Sequence, residues 1–477
     1  MKHETYNLAV LGAGSGGLVC AAGAAGLGAK VLLIEKHKMG GDCLNTGCVP
    51  SKALIKSAKV AAQVRQAERF GVRSDGMSVD FRAVMERVQS TIRTIEPHDS
   101  AERFRGLGVD VQFGPGSFVS PHEVTNGERT FRAKKIVIAT GSRPAVPSIE
   151  GLEKVQVLTS ENIWELRELP KNLVVIGGGP IGCELAQCFA RFASKVTIVT
   201  QGDRLLERDD LEASAALAEA LVSEGIEICF ETTPQKVSGE VGNLKLECRS
   251  KTGTNTQVSC DALLIAAGRL PNIENLNLEG VGIRFNSRGV EVNDRLQTTL
   301  SHVYACGDVA GPYLFTHTAD FQARAILRNG LFPGSKAIDY RVIPWCTYTD
   351  PEIAQVGMTE ALANQQGIAY DVTRYDLKDL DRAICDGTNR GFVKVITHKG
   401  KDSILGATIV GEHAGDLLQE FVLAMQNGLG LKKIAGTIHT YPTLAEGPKR
   451  TADAWMRTLL TDSTKNLLTK FFAWSRG

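Results

Sequence analysis

The sequence predicts an α/β fold that contains two similar strand–turn–helix–strand units and ends in a smaller α+β domain. Three observations support this prediction. A glycine-rich turn follows an apolar segment at residue 12, the same arrangement returns at residue 177, and short strands precede a helical stretch beyond residue 341. With 477 residues, the chain is long enough for about three domains of ~150 residues each.

The overall composition excludes several classes of protein. Hydrophobic residues make up 43% of the chain and charged residues 22%, as in ordinary globular proteins. The net charge of +1 gives no electrostatic reason to expect nucleic acid or an anionic membrane as a partner. Residues 8–29 carry no charge, but seven glycines lie among them, so we expect no membrane span. No secretory signal is visible, and eleven cysteines without a regular framework indicate a cytoplasmic protein with mostly reduced thiols.

The first unit has the pattern of a Rossmann-like dinucleotide-binding domain. Tyr6–Leu11 predicts a strand, a small-residue helix follows through Ala25, and Lys30–Ile34 predicts a second strand. The G-x-G-x-x-G glycines between them permit a tight turn, close approach of a pyrophosphate and packing of the helix on the strand. The helix N-terminus offers N–H groups to phosphate, and an acid after the second strand can accept from a ribose. The residues expected to bind this nucleotide are Gly12, Gly14, Ser15, Gly17, Glu35 and Lys36.

The second unit repeats this pattern with one change. Leu173–Ile176 and Lys195–Val199 predict the strands, and a helix with Glu184 lies between them. Thr200 stands where the first unit has its acid. The residues expected to bind the second nucleotide are Gly177, Gly179, Ile181, Gly182, Thr200 and Gln201. A flavin and a nicotinamide are the natural pair for two such units, because a flavin accepts hydride from NAD(P)H and can pass electrons to sulfur.

Two cysteines, Cys43 and Cys48, lie in the segment GGDCLNTGCVPSK at residues 40–52. A metal site would need two further ligands at short spacing, and none are nearby. A structural bridge is typical of small secreted proteins instead. The position directly after the first nucleotide-binding unit therefore favours a redox-active pair.

The residues around Cys48 favour a reactive thiol. Pro50 fits the first turn of a helix that we expect to run to about Arg69. A thiol at a helix N-terminus has a lowered pKa because the helix dipole favours the thiolate. Lys52 lies four residues further on, on the same helix face, where its ammonium can stabilise a thiolate or a reduced flavin.

Together these motifs resemble the pyridine nucleotide-disulfide oxidoreductases, a family that includes dihydrolipoamide dehydrogenase, glutathione reductase and mercuric reductase. The resemblance covers nearly the whole chain. The segments that carry it are GAGSGG at 12–17, GGDCLNTGCVPSK at 40–52, IVIATGSRP at 136–144, GGGPIGCELA at 177–186, LLIAAGRLPN at 263–272, VYACGDVAG at 303–311, IPWCTYTDPEIAQVG at 343–357 and HTYPTLAEG at 439–447.

The resemblance implies roles for individual residues, with FAD and either NADPH or NADH as cofactors. Cys48 would face the flavin and Cys43 would attack the substrate. Lys52 would pair with Glu184 beside the flavin ring, and Asp308 would hold the ribityl chain. The further residues that we expect near the cofactors are Gly41, Asp42, Gly116, Thr140, Gly141 and Gly268.

The resemblance also implies a domain order. The boundaries that we expect are 1–147 for the FAD-binding domain, 148–270 for the NAD(P)-binding domain, 271–340 for the return of the FAD domain and 341–477 for a dimerisation domain. Within the last domain, Phe392–Thr397 and Ile404–Val410 predict strands before a helix at 414–428. In this family that domain forms a homodimer, and each active site borrows tail residues of the partner.

The tail motif departs from the family pattern. Tyr441 stands where disulfide reductases of the family usually carry a histidine, although Glu446 matches the acid that orients it. Tyrosine, with a pKa near ~10, is a poor general base at neutral pH. His439 lies two residues earlier and would point the same way as Tyr441 in a strand, either as a packing or capping residue or as a catalytic stand-in.

A second departure concerns the cysteines. Residues 381–395, DRAICDGTNRGFVKV, resemble mercuric reductase, but no cysteine follows Cys385, whereas mercuric reductases carry a terminal cysteine pair. Three hypotheses therefore stay open. The chain is a flavoenzyme that reduces a disulfide, a metal or another small acceptor, or a dihydrolipoamide dehydrogenase of a multienzyme complex, or a redox-responsive binding protein.

Overall fold

The computed structural model of the chain describes residues 5–73, 76–240 and 242–477. The chain divides into two compact units. The first comprises Met1–Gln201 and Glu231–Asp339, and the second comprises Gly202–Phe230 and Tyr340–Gly477. Because this division does not separate the two nucleotide-binding units from each other, the four domain boundaries expected from the sequence stay a prediction.

The described residues form strands and helices throughout. The strands are β1 Thr5–Leu11, β2 Val31–Glu35, β3 Val109–Phe113, β4 Ser117–Ser120, β5 Glu123–Thr125, β6 Thr130–Ile138, β7 Ser142–Pro144, β8 Asn172–Ile176, β9 Lys195–Val199, β10 Glu227–Cys229, β11 Thr232–Glu240, β12 Asn243–Ser250, β13 Asn255–Cys260, β14 Ala262–Ile265, β15 Arg269–Pro271, β16 Phe285–Asn286, β17 Gly289–Val290, β18 Val303–Ala305, β19 Pro344–Thr347, β20 Glu352–Gly357, β21 Tyr370–Asp376, β22 Phe392–His398 and β23 Ile404–Gly411. The helices are α1 Ser15–Gly26, α2 Gly41–Asn45, α3 Cys48–Arg65, α4 Phe81–Ile95, α5 Ala101–Gly106, α6 Pro180–Arg191, α7 Leu211–Ser223, α8 Thr316–Leu331, α9 Glu360–Gln365, α10 Asp381–Asp386, α11 Ala414–Leu417, α12 Gln419–Gln426, α13 Leu431–Ala435, α14 Glu446–Thr458 and α15 Asp462–Ser475.

The first glycine turn lies at the carboxyl ends of the parallel strands in the largest sheet of the first compact unit. Strands β3, β2, β1 and β6 run parallel in that order, β5 and β4 extend the sheet antiparallel, and β18 also pairs with β6. Strand β2 is buried along its whole length, as expected for a parallel strand that is covered on both faces. The backbone N–H of Gly12 donates to the carbonyl of Ile34, so the carboxyl ends of β1 and β2 meet beside the turn.

The second glycine turn follows the same plan. Strand β8 lies between β9 and β14 in parallel, with Val174 opposite Thr197 on one side and Leu263 on the other. An antiparallel sheet of β11, β12 and β13 lies next along the chain. The two Rossmann-like units predicted from the sequence are therefore confirmed.

The second compact unit contains an antiparallel sheet in the order β19-β20-β23-β22-β21, together with several helices. Phe421 and Trp455 are buried in the core of this unit, together with the apolar side chains of β22 and β23. The predicted α+β architecture is confirmed, and both predicted strands are present.

Two helices differ in detail from the sequence-based expectation. The helix that begins at Cys48 ends at Arg65, and a 3-10 turn over Ala67–Phe70 takes up the rest of the predicted length. The single helix expected at 414–428 is divided at Leu418, although the backbone there keeps φ −61° and ψ −25°, so the interruption is slight. Among the described residues, no helix is both long and apolar enough to cross a membrane.

Candidate active site

The turn after β1 is packed so tightly that it excludes side chains. Gly12 has a φ of 102°, and a Cβ added to it would lie 2.4 Å from the carbonyl oxygen of Ala139. A Cβ on Gly17 would lie 1.9 Å from the carbonyl oxygen of Gly12, so helix α1 rests directly on the turn. Gly14 precedes this helix and Ser15 begins it. The first N–H groups of α1, which cannot bond within the helix, are thus available beside the turn.

Glu35 is held across this turn. Its carboxylate accepts from the backbone N–H of Ala13 and from that of His37, each at 2.7 Å. A carboxylate has about four acceptor positions, so it can still accept from ribose hydroxyls. Lys36 follows as an exposed side chain. Gly116 lies against the ends of β1 and β2, since its Cβ would come within 3.1 Å of Leu11 and 3.3 Å of Ile34.

The second turn reproduces the packing of the first. Gly177 has a φ of 121°, and its Cβ would lie 2.3 Å from the carbonyl oxygen of Ala266. A Cβ on Gly182 would lie 2.1 Å from the carbonyl oxygen of Gly177. Thr200 is buried directly after β9, and its carbonyl accepts from the N–H of Thr232 at 2.9 Å. The remaining expected residues lie around this turn: Gly179 before α6, Ile181 in its first turn and Gln201, exposed, after Thr200.

The two cysteines of the dithiol segment lie on consecutive helices. Cys43 is in the short helix α2, and Cys48 begins α3. Gly41 has a φ of 57°, and its Cβ would lie 2.6 Å from the Cα of Gly14, so the segment is pressed against the N-terminus of α1. The Asn45 amide donates to the carbonyl of Gly41 at 2.8 Å and closes α2. The fold therefore brings the dithiol beside the first glycine turn, as the sequence predicts.

The electrostatic environments of the two thiols differ. The pKa of Cys48 is lowered to about 6, first because the Cys43 thiol donates a hydrogen bond to its thiolate and then because of the Thr316 hydroxyl and the Lys52 ammonium. Burial opposes this shift. Cys48 Sγ lies 3.4 Å from Thr316 Oγ1. The pKa of Cys43 is raised well above its ordinary value by the same hydrogen bond and by burial. At neutral pH the reduced pair thus carries a thiolate on Cys48 and a thiol on Cys43.

An ion pair joins the dithiol helix to the second nucleotide-binding unit. Lys52 Nζ on α3 lies 2.9 Å from Glu184 Oε2 on α6. Glu184 is buried, whereas Lys52 is partly exposed. The pair that the resemblance implies is therefore present, and the carboxylate orients the ammonium near the Cys48 thiolate.

Asp308 lies in a cluster of polar side chains. It is in the 3-10 turn Gly307–Val309, and its carboxylate accepts from Ser142 Oγ at 2.5 Å. Arg269 lies 3.5 Å from Asp308 and 3.3 Å from Asp42, and so bridges two carboxylates. Burial raises the pKa of Asp308, while the Ser142 bond and the Arg269 charge oppose that rise. A carboxylate held in this way can accept from the hydroxyls of a ribityl chain.

Thr140, Gly141 and Gly268 lie where the chain crosses between the two nucleotide-binding units. Thr140 Oγ1 donates to the carbonyl of Asn272 at 2.7 Å, and the N–H of Asn272 donates to the carbonyl of Gly141 at 2.9 Å. The carbonyl of Gly268 accepts from the N–H of Ala145 at 2.9 Å. These bonds hold the two crossings together, beside the β7–β15 pair.

The tail motif does not form a strand. Residues 436–445 belong to neither a helix nor a strand, and the chain bends at 441–443 around Pro442, which has no N–H to donate to a sheet. The condition under which His439 and Tyr441 would point the same way is therefore not met. The Tyr441 hydroxyl donates to the Asp381 carboxylate at 3.2 Å, and this bond raises the pKa of Tyr441.

His439 and Glu446 have partners of their own. The ring of His439 lies 3.0 Å from the Thr437 carbonyl through Nδ1 and 2.9 Å from Glu420 through Nε2. Both oxygens are acceptors, so this geometry favours the packing or capping alternative for His439. Glu446 begins α14 and pairs with Arg450 at 3.3 Å, while the Tyr441 hydroxyl bonds to Asp381.

Comparison with known proteins decides the family. The family described as pyridine nucleotide-disulphide oxidoreductase matches residues 6–323, and its dimerisation domain matches residues 343–452. The chain belongs to the pyridine nucleotide-disulphide oxidoreductases.

Relatives named for different activities are similar to the chain over most of its length. Dihydrolipoyl dehydrogenase of Chlamydia muridarum is 35% identical over 451 residues, which cover 93% of this chain and 95% of the relative. Mercuric reductase of Staphylococcus aureus is 32% identical over 454 residues, 94% of this chain and 82% of the relative. Among solved structures, the HOCl-induced flavoprotein disulfide reductase RclA from Escherichia coli has a TM-score of 0.84 and 28% identity, covering 94% of this chain and 99% of RclA.

As a pyridine nucleotide-disulphide oxidoreductase, the protein is an enzyme that uses FAD and NAD(P)H. The residues present fit both groups. At each glycine turn, Gly12 and Gly177 pack against a backbone carbonyl, and the N-terminus of the following helix is left beside the turn, where it can face a pyrophosphate. Beside the first turn, Glu35 could accept from a ribose, and the partly buried carboxylate of Asp308 could accept from a polyol chain.

Sequence reasoning missed several residues of this oxidoreductase site. Thr316 contacts Cys48 from 268 positions away, and nothing local marks it. Trp164 is buried, and its indole N–H donates to the carbonyl of Thr46, between the two cysteines, at 3.0 Å. Arg269 could have been found, because it follows Gly268 in the segment LLIAAGRLPN and a largely buried arginine needs acidic partners.

Proposed function

We propose that the protein passes electrons from NAD(P)H through FAD to the Cys43–Cys48 disulfide and from there to a small electron acceptor. The surroundings of Cys48 carry this proposal: Cys48 begins α3, its Sγ lies 3.4 Å from Thr316 Oγ1, and the Thr316 hydroxyl and the Lys52 ammonium help to lower its pKa to about 6. Bound FAD supplies the two-electron relay between nicotinamide and sulfur.

The side chains around the dithiol determine where charge resides after reduction. Two electrons and one proton break the S–S bond and leave Cys48 as thiolate and Cys43 as thiol. The Thr316 hydroxyl and the Lys52 ammonium stabilise the negative charge on Cys48 Sγ, and Glu184 holds the ammonium in place. Cys43 is then the sulfur that meets the acceptor, once it has lost its proton.

The tail motif favours an acceptor that requires little proton transfer. Exchange with a disulfide needs protons moved to and from sulfur, and a positioned base contributes about 10²- to 10⁴-fold. Tyr441, whose pKa is raised by Asp381, cannot serve as that base at neutral pH. We therefore expect a thiol-bound metal ion or a quinone-like compound to be reduced faster than lipoamide or glutathione disulfide.

Two of the similar proteins support a metal acceptor. One is the mercuric reductase of Staphylococcus aureus, and the other is RclA, which was also solved as a Cu(II) complex. A soft or borderline metal ion is a natural partner for a thiolate.

Dihydrolipoamide dehydrogenase is the second candidate. The observation in its favour is the 35% identity to the Chlamydia muridarum enzyme of that name. In this case the chain would oxidise dihydrolipoamide with NAD, and His439 or another group would move the proton. The contacts of His439 with Thr437 and Glu420 weigh against it in the structure as it stands.

The dimerisation domain supports a homodimer. We further propose that the tail residues Tyr441 and Glu446 of one subunit complete the dithiol site of its partner. A cytoplasmic location, expected from the cysteine usage, stays a prediction.

Steady-state assays with several acceptors test the proposed function. Hg(II) with excess small thiol, Cu(II) without added thiol, a water-soluble quinone, glutathione disulfide and lipoamide would each be assayed with NADH and with NADPH. We expect the metal or the quinone to give a kcat/KM well above that of both disulfides. Oxidation of dihydrolipoamide at rates typical of enzymes, about 1–10³ s⁻¹, would replace the proposal with the second candidate.

Tyr441→His sharpens the test, with Tyr441→Phe as its matched control. An imidazole at this position should raise disulfide turnover, by up to about 10²-fold if its geometry suits proton transfer. The phenylalanine variant removes the hydroxyl without supplying a base and should leave disulfide turnover low. If the histidine variant leaves every acceptor unchanged, Tyr441 has no part in proton transfer.

A further inference from the structure

Helix α15 (Asp462–Ser475) differs in exposure from the other helices of the second compact unit. It lies outside residues 343–452, which match the family's dimerisation domain, and none of its residues is buried. The helix is capped, because the Thr461 hydroxyl accepts from the N–H of Thr464 at 3.3 Å. It is thus a well-formed helix whose surface the described second unit does not cover.

The apolar side chains of α15 fall on one face. At 100° per residue, they occupy an arc of about 160° around the helix. Their exposed fractions are 68% for Leu467, 38% for Leu468, 53% for Phe471, 53% for Phe472 and 76% for Trp474. The ring of Phe471 contacts those of Phe472 and Trp474, with centroid distances of 5.6 and 6.2 Å. An exposed aromatic patch of this kind indicates a surface that binds another protein or a membrane.

The margins of this arc are cationic. Lys465 and Arg476 lie along one side and Lys470 along the other, by the same helical geometry. Asp462 is the acid at the start of the helix, and its carboxylate is 3.8 Å from Lys465 Nζ. The net charge of +1 for the whole chain conceals this local excess of positive charge.

We propose that α15 binds flat on the surface of an anionic lipid bilayer. Phe471, Phe472 and Trp474 would enter the boundary between headgroups and acyl chains, where tryptophan is favoured. Lys465 and Lys470 would meet the lipid phosphates from either side of the arc. The helix would lie on the membrane without crossing it, and the oxidoreductase would work at a membrane surface.

The charges favour lipid over a second copy of the helix. Two copies packed through their apolar arcs would bring Lys465, Lys470 and Arg476 towards the same residues of the partner, and like charges in contact are unfavourable. A bilayer of anionic phospholipid supplies the opposite charge along both margins at once. This proposal does not depend on which acceptor the dithiol reduces.

Vesicle sedimentation of the FAD-loaded protein tests the proposal. Vesicles of phosphatidylglycerol mixed with phosphatidylcholine should carry the protein down, and vesicles of phosphatidylcholine alone should carry much less. Phe471→Ser/Trp474→Ser should lower partitioning to the anionic vesicles at least about tenfold. Lys465→Gln/Lys470→Gln should weaken binding to the anionic vesicles but not to those of phosphatidylcholine alone. Added salt should weaken binding of the wild type to the anionic vesicles in the same way. Val222→Ser, which removes an apolar side chain 58% exposed on α7, is the matched control and should bind as wild type does.

Two further readouts separate lipid binding from other effects. The emission of Trp474 should shift to shorter wavelength on adding anionic vesicles, and Trp474→Phe should lose that shift. Quinone reduction by NAD(P)H should be unchanged in every variant, which shows an intact fold. Equal partitioning of Phe471→Ser/Trp474→Ser and wild type would overturn the proposal. So would a drop of that variant from a larger assembly to a dimer without lipid, because α15 would then cover a second copy.

Discussion

The two nucleotide-binding units use the same backbone geometry and different side chains. Gly12 and Gly177 have φ values of 102° and 121°, and each would place a Cβ within 2.4 Å of a neighbouring carbonyl oxygen. At the end of the second strand, however, the first nucleotide-binding unit has Glu35, whereas Thr200 directly follows the second strand of the other. The shared glycine packing makes room for a pyrophosphate, whereas the residue at the end of the second strand determines which ribose can be bound.

The units also contribute differently to the chemistry. The first is followed directly by the dithiol helices, and Cys48 lies at the N-terminus of α3. The second supplies Glu184, the buried acid that holds Lys52. One unit therefore positions the sulfur, and the other tunes its charge through a single ion pair.

The largest expected effect comes from substitutions in the two glycine turns, which should affect different cofactors. Gly12→Ala forces a Cβ into the Ala139 carbonyl, so the purified protein should lose its FAD, measured as flavin absorbance per protein. Gly177→Ala should keep FAD but slow flavin reduction by NAD(P)H by about 10²-fold, since a displacement of about 1 Å costs that much.

Gly28→Ala is the control for this pair. Gly28 has a φ of 83° but open space around a Cβ, so strain alone should leave both cofactor functions in place. If Gly177→Ala lost FAD while Gly12→Ala kept it, the assignment of the two nucleotides to the two turns would be reversed.

The second prediction separates the two thiols. The reduced wild-type protein should show a long-wavelength absorption band from the Cys48 thiolate to the flavin, and turnover should depend on both thiols. Cys48→Ser should abolish the band, and Cys43→Ser should retain it, because only Cys48 has a lowered pKa. An unchanged band in Cys48→Ser would show that the roles are exchanged.

The third prediction concerns the residue of the second nucleotide-binding unit that we expect to contact the ribose. Thr200 lacks the carboxylate that binds the NAD ribose and repels a 2′-phosphate. Because Arg204 and Arg208 also follow closely in sequence, we expect a weak preference for NADPH. Thr200→Glu should lower kcat/KM for NADPH by more than about tenfold through like-charge repulsion and should spare NADH. A strong wild-type preference for NADH would contradict this expectation.

The smallest expected effect is on the pH dependence of the thiolate band. The pKa of Cys48 is lowered to about 6, so the thiolate and its band should persist at neutral pH and fade as the pH falls through about 6. An ordinary thiol, with a pKa near ~8.5, would already be almost wholly protonated at neutral pH. Lys52→Gln removes a cation that lowers the pKa of Cys48, so the midpoint should move upwards. A midpoint that stays in place would assign the low pKa to Cys43 and Thr316 alone.

The sequence by itself determined the elements whose signals are local. Both strand–turn–helix–strand units were predictable, because strand periodicity and the glycine spacing at Gly12 and Gly177 are short-range properties. The dithiol helix was predictable for the same reason, since Pro50 and Lys52 lie within one turn of Cys48.

Only the tertiary structure decided which distant groups meet. Thr316 contacts Cys48 from 268 positions away, and no local pattern records such a contact. The tail shows the limit most clearly. A two-residue spacing indicated a shared direction for His439 and Tyr441, but the chain bends around Pro442, and the two side chains bond to Glu420 and Asp381 instead. Direction along a strand follows from sequence only where a neighbouring strand holds the backbone extended, and the packing of the whole unit decides whether one is there.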